Sequence, residues 1–195
     1  MKKIIYLLLC FSMVLLEASA QVKVGAAVRK ITPDPLLPVS GGVGTPKPVK
    51  ENKGDLFVRA MVVEKGDTRV AFVGIDNLGW PALLGDQSRK LIQGIPPENV
   101  MIGATHTHSG PDAYGFPNEK GEILADFEYL EWCVQQVADA VNEAVDKLEP
   151  ANLKIAVGEA KGQIAYNYYA PQLYDPRCGV IQGIATTAKN KGKVI

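Results

Sequence analysis

Val100-Met101-Ile102-Gly103-Ala104-Thr105-His106-Thr107-His108-Ser109-Gly110-Pro111 joins an apolar run to a Gly-Pro stop and holds both histidines of the 195-residue chain. The run reads as a buried strand. In an extended strand successive side chains alternate faces, so His106 and His108 project to one side with Cα atoms about 7 Å apart. Two imidazoles at that reach share one small cation, or divide the roles of ligand and acid/base group. The glycine and proline end the strand and place the pair at its carboxyl edge, where α/β sheets bind ligands. On spacing alone, a metal site and a chance pair of histidines both stay open. Catalytic zinc takes three protein ligands plus water, so a further donor is required and no third histidine exists. Asp76, Asp112, Glu119 and Glu122 are candidate donors, and no spacing selects among them.

Upstream, residues 56–64 and 69–75 are β-rich runs joined by Lys65-Gly66-Asp67-Thr68, a hairpin signal that makes part of the sheet antiparallel. Residues 22–29 read as an opening strand broken by Ile31-Thr32-Pro33-Asp34-Pro35. Pro38, Ser40-Gly41-Gly42-Val43-Gly44 and Pro46-Lys47-Pro48 then give a long loop, of a length that compact domains keep for function or leave disordered. These glycines do not form a phosphate-binding loop, because no Lys-Ser/Thr follows and no helix pattern starts after them. Asp76, at the end of the second hairpin strand, reads as a cap on the next turn, with support of a histidine ring as the alternative.

Residues 85–93 read as a short helix. Residues 125–148 give the strongest helix: Phe127, Leu130, Val134, Val137, Val141, Val145 and Leu148 form an apolar stripe, and Glu128, Glu131, Gln135, Asp139, Asn142 and Asp146 face away. Pro150 ends it. Residues 153–157, 163–168 and 179–184 read as strands, and Val194-Ile195 begins another after a turn at Lys189-Asn190-Lys191-Gly192-Lys193. The fold class is α/β, a mixed β-sheet with covering helices. An unfinished last strand reads as a fragment.

Lys2 and Lys3, an apolar stretch over residues 4–16, and Ala18-Ser19-Ala20 form an export signal over residues 1–20, cut after Ala20. The protein is therefore expected to be secreted or periplasmic, with residues 21–195 as one domain. The chain balances 21 basic against 21 acidic residues and has no basic run, which argues against nucleic acid. No mature segment is apolar enough to span a bilayer, so membrane contact is peripheral at most. No protein partner is indicated. Cys133 and Cys178 form a disulfide in an oxidising compartment, or Cys133 is a small buried apolar residue of the helix; the sequence leaves both open.

Several segments, in order, resemble the amino-terminal part of the catalytic domain of the neutral/alkaline (non-lysosomal) ceramidase family. They are Val24-Gly25-Ala26-Ala27-Val28-Arg29-Lys30-Ile31-Thr32-Pro33, Gly41-Gly42, Leu56-Phe57-Val58-Arg59-Ala60, residues 70–76, Ala104-Thr105-His106-Thr107-His108-Ser109-Gly110-Pro111, and Asp175-Pro176-Arg177-Cys178-Gly179-Val180-Ile181. The resemblance implies a zinc-dependent amidase acting on a small lipid amide, ceramide, with Zn2+ as cofactor. By that resemblance His106 is a zinc ligand, and His108 stands beside the metal as the catalytic group that contacts the reacting centre or moves a proton. The remaining ligands of the family, a second histidine, a glutamate and a tyrosine, lie downstream, so residues 21–195 are a truncated portion that lacks the whole site. Where the family carries Asn-Arg, this chain has Asn167-Tyr168. That departure keeps two alternatives: a metallohydrolase of the same fold acting on another amide or ester, and a non-catalytic remnant.

Overall fold

The first strand, β1 (Lys23–Lys30), buries Val24 on one face of the sheet and Ala27 on the other. The computed structural model describes residues 21–41, 45–162 and 167–195. After β1 come β2 (Val39–Ser40), β3 (Phe57–Lys65), β4 (Thr68–Ile75), α1 (Ala82–Leu91) and a 3-10 turn at Pro97–Asn99. Then follow β5 (Val100–Ala104), β6 (Gly110–Pro111), α2 (Phe127–Asp146), β7 (Glu149–Glu159) and β8 (Arg177–Ala185). Gly66, with φ 57°, fills the first loop position between paired Lys65 and Thr68, where a tight hairpin turn needs a residue free of Cβ.

The fold is α/β, as the pattern of alternating runs implies. A six-stranded mixed sheet has the order β5-β4-β3-β1-β7-β8, and β2 pairs with β6 in a small second sheet. Among the described residues β4 and β5 are the parallel pair of the large sheet, joined by the crossover through α1. The core lies between the sheet and α2, where Val58, Val62, Val73 and Ile75 meet Leu130, Cys133, Val137 and Val141. Asp126 caps α2 by accepting from the Tyr129 amide at 2.8 Å, and the Tyr129 hydroxyl donates to the Ile31 carbonyl at 2.8 Å. Gly25 permits the close approach of α2: a Cβ there would overlap the Ala144 carbonyl oxygen.

Several elements differ from the sequence expectation. α2 stops at Asp146, and Pro150 lies beyond it in β7, opposite Lys23. Pairing with β1 draws Glu149 and Pro150 into the sheet. Phe127 is 62% exposed, because the buried face is set by Tyr129, Cys133, Ala140 and Ala144 as well as the larger apolar residues. β5 is an edge strand with Met101 60% exposed, so it is less buried than its composition suggests. Strands at 153–157 and 179–184 are parts of the longer β7 and β8, whose outer halves carry exposed Ile155, Val157 and Val180. Of the strand expected at 163–168, residues 163–166 lie outside the described residues, and 167–168 are not in a strand. The export signal at 1–20 and Gly42–Val43–Gly44 of the loop also lie outside them. Cys133 is buried and Cys178 exposed, and both are free thiols.

Candidate metal centre

His106 and His108 leave the carboxyl end of β5, but they are not held by strand geometry. β5 ends at Ala104, and His106 takes φ 59°, a left-handed conformation uncommon for residues other than glycine. Alternation along a strand therefore does not bring the two rings together; a turn does. The rings stand edge to face with centroids 5.0 Å apart and planes at 78°. Their Nε2 atoms face each other at 3.5 Å.

A backbone group fixes the first ring. His106 Nδ1 lies 2.7 Å from the Leu78 carbonyl oxygen. A carbonyl oxygen only accepts, so Nδ1 carries the hydrogen, and in the neutral ring the lone pair is on Nε2. A histidine that ligates a metal through one nitrogen is commonly held in this way through the other. Two nitrogens on one tetrahedral zinc at about 2.0–2.1 Å stand about 3.3–3.4 Å apart, close to the 3.5 Å observed here. That separation matches, and a direct contact between the two rings accounts for it equally. Among the described residues no group of three or more His, Cys, Asp and Glu is placed to hold a metal ion.

Of the carboxylates considered as further donors, Asp76, Asp112 and Glu122 are engaged elsewhere. Asp76 Oδ2 accepts from the Phe57 amide at 2.9 Å and from Arg59 Nη1 at 2.8 Å, so it ties β4 to β3 and does not cap the following turn or hold a histidine. Buried Asp112 accepts from the amides of Tyr114 and Phe116, both at 2.8 Å. Glu122 accepts from Asn118 Nδ2 at 2.7 Å within an exposed turn that also contains Glu119. Asn167 is used in its own turn, accepting from the amides of Tyr169 and Ala170 at 3.0 Å.

The small β2–β6 sheet carries the long loop up to the histidines. Ser40 pairs with Gly110, and a Cβ on Gly41 would stand 2.8 Å from His108 Cβ. Gly41 of the long loop thus packs against the histidine segment. Beside it opens a cleft of about 750 Å³, with Leu36, Val39, Val49 and Leu56 on its apolar side and Thr107 and Ser109 from the histidine segment on its rim. Sequence reasoning missed the Leu78 carbonyl, because a backbone acceptor carries no residue signature.

The six-stranded mixed sheet with its covering helices matches part of the fold of solved ceramidase structures. The chain is similar to the crystal structure of neutral ceramidase from Pseudomonas aeruginosa, with TM-score 0.64 and 18% identity over 90% of this chain and 30% of that one. A ceramidase complexed with C2 aligns with TM-score 0.60 and 19% identity, over 88% of this chain and 30% of that one. The chain therefore spans 30% of the length of these structures, and at such identity the likeness establishes the fold. No family model matches the chain, and no curated protein matches it by sequence.

Proposed function

We propose that the chain carries the amino-terminal part of the centre of a secreted, zinc-dependent hydrolase of the ceramidase type, which cleaves the amide of an N-acyl sphingoid lipid. The observation that carries this reading is the histidine pair, with two facing Nε2 atoms 3.5 Å apart and one ring locked by a carbonyl. The ceramidase likeness of the surrounding fold supports the substrate class.

In this reading His106 Nε2 is a zinc ligand, with Nδ1 held by Leu78. Zinc bound there would polarise the amide carbonyl and make a water acidic enough to attack near neutral pH. His108 Nε2, facing His106 and open to solvent, takes a proton at the reacting centre and returns it to the leaving amine. The cleft beside Thr107 and Ser109 offers an apolar wall for an acyl chain. Further ligands come from sequence beyond the described donors. Export rests on residues 1–20, and no described helix is long and apolar enough to cross a membrane, which suits peripheral contact with lipid.

The test is His106→Ala in the longest chain that the gene encodes, with zinc content and hydrolysis of an N-acyl sphingosine both measured. The substitution is expected to remove bound zinc and turnover together. Turnover retained in His106→Ala sinks the proposal. Tyr168 in place of the expected arginine favours a second reading, a metallohydrolase of the same fold on a simpler amide or an ester. Comparing ceramide with N-acyl amines and esters separates the two, and absence of zinc binding by isothermal titration favours a non-catalytic remnant over both.

A further inference from the structure

We propose that Asn77 is a positioning residue that sets the tautomer of His106 through the backbone of Leu78. Asn77 is fully buried at the carboxyl end of β4. Its Oδ1 accepts from the Leu78 amide at 2.8 Å, while its Nδ2 is buried without a partner among the described residues. A buried amide with an unused donor carries a desolvation penalty, and an apolar side chain would avoid it. The acceptor end therefore has a use that offsets the idle donor.

That use is visible in the bonds around Leu78. The Asn77 amide donates to the Ile75 carbonyl at 2.9 Å, and the Thr105 amide donates to the same oxygen at 3.0 Å. The turn after β4 is thus anchored to the segment that carries the histidines. Within that turn Asn77 Oδ1 pins the Leu78 amide, and the next carbonyl along the chain, that of Leu78, receives His106 Nδ1 at 2.7 Å. On the far side Gly79 lies directly against the Tyr114 hydroxyl, so the Leu78 backbone is confined from both directions. A carbonyl held in this place admits only the Nδ1–H form of His106 and leaves the Nε2 lone pair facing His108. The consequence for chemistry rests on the proposed role of the histidine pair; the positioning does not.

The experiment is 15N-resolved NMR of the imidazoles in the metal-free chain, at a pH high enough for both rings to be neutral. Wild-type His106 is expected in the Nδ1–H form. Asn77→Leu, close in size but without the acceptor, is expected to shift the tautomer ratio at least tenfold toward Nε2–H. Asn77→Asp retains an acceptor for the Leu78 amide and is expected to keep the Nδ1–H form. A folded Asn77→Leu with the wild-type tautomer overturns the inference. Loss of the Nδ1–H form in Asn77→Asp also overturns it, and that arm decides the matter should Asn77→Leu fail to fold. Because the readout needs neither zinc nor substrate, a chain that binds no zinc but shows these shifts would refute the proposed function and leave the positioning role standing.

Discussion

Gly41→Ala is expected to disturb the histidine pair while leaving the fold intact. The added carbon would stand 2.8 Å from His108 Cβ and 3.1 Å from the His108 carbonyl oxygen. Carbon atoms pack at about 3.5–4.0 Å, so the 2.8 Å approach must open by about 0.7 Å or more. Ser40, 1% exposed and paired with Gly110, resists movement from the Gly41 side. His108 is exposed and yields instead, while His106 stays on the Leu78 carbonyl. A misplacement approaching 1 Å is enough to cost a positioned group most of its effect, and under the proposed function we expect turnover to fall about tenfold, equivalent to about 1.4 kcal/mol, with zinc content unchanged. Stability is expected to change by less than about 1 kcal/mol, since the displaced segment is a surface loop. Two assays check this: the nuclear Overhauser effect between the two imidazole rings, which should weaken, and urea unfolding, which should not move. Unchanged ring contact in the variant, or a stability loss near 3 kcal/mol, would refute the reasoning.

Gly25→Ala should act in the opposite way, because both sides of that contact are backbone: its Cβ overlaps the Ala144 carbonyl oxygen and lies 3.0 Å from the Leu148 amide. Overpacking costs about 1–3 kcal/mol, and the upper end is expected here, a melting temperature lower by roughly 6–12 °C for a chain of this size; calorimetry within 2 °C of wild type would contradict the close approach. Glu64, held by Lys23 and Arg69, has its pKa lowered from 4.5 by their hydrogen bonds, so its stabilisation is present above pH 4.5 and is lost as pH falls through the lower folded value. Glu64→Gln should therefore flatten the acid limb of stability below pH 4.5 and be checked by unfolding across that limb. Burial pushes the Cys133 thiol up to about 12. Iodoacetamide at pH near 8 is accordingly expected to label exposed Cys178 and spare Cys133 until the chain is unfolded, read by peptide mapping.

The sheet was legible where period and turn chemistry coincide. Residues 22–29, 56–64 and 69–75 foretell β1, β3 and β4 within a residue at each boundary, because alternating apolar residues and the Gly66-Asp67 turn act locally. The stripe in α2 gives its core face, but its ends are set by Asp126 and by the demand of β1 for a partner at Glu149 and Pro150. Two-residue strands such as β2 and β6 carry no readable period, and Ser40-Gly41 and Gly110-Pro111 look like loop. At the site, the two histidines and their place beyond the strand could be read. The turn at His106 could not, since its φ of 59° is stabilised by a hydrogen bond to a carbonyl 28 residues earlier.

The parallel pairing of β4 and β5 explains why that distant carbonyl is available. Their register matches Ile75 with Ala104, so both strands end level and the chain leaves them side by side in the same direction. Three residues past one strand end lies Leu78, and two past the other lies His106; the two meet at 2.7 Å. An antiparallel neighbour would bring an incoming segment to this edge, and no such level pair of exits would form. The ring is therefore oriented by the sheet's core, through Ile75 and the buried Leu78, rather than by the exposed loop on which it sits. Among the described residues His108 has no such anchor and is bordered by His106 on one side and Gly41 on the other. Under the proposed function, a fixed ring beside an exposed one suits a ligand paired with a proton carrier, so loss of His106 is expected to abolish zinc binding and turnover together, and replacement of His108 to lower turnover with zinc retained.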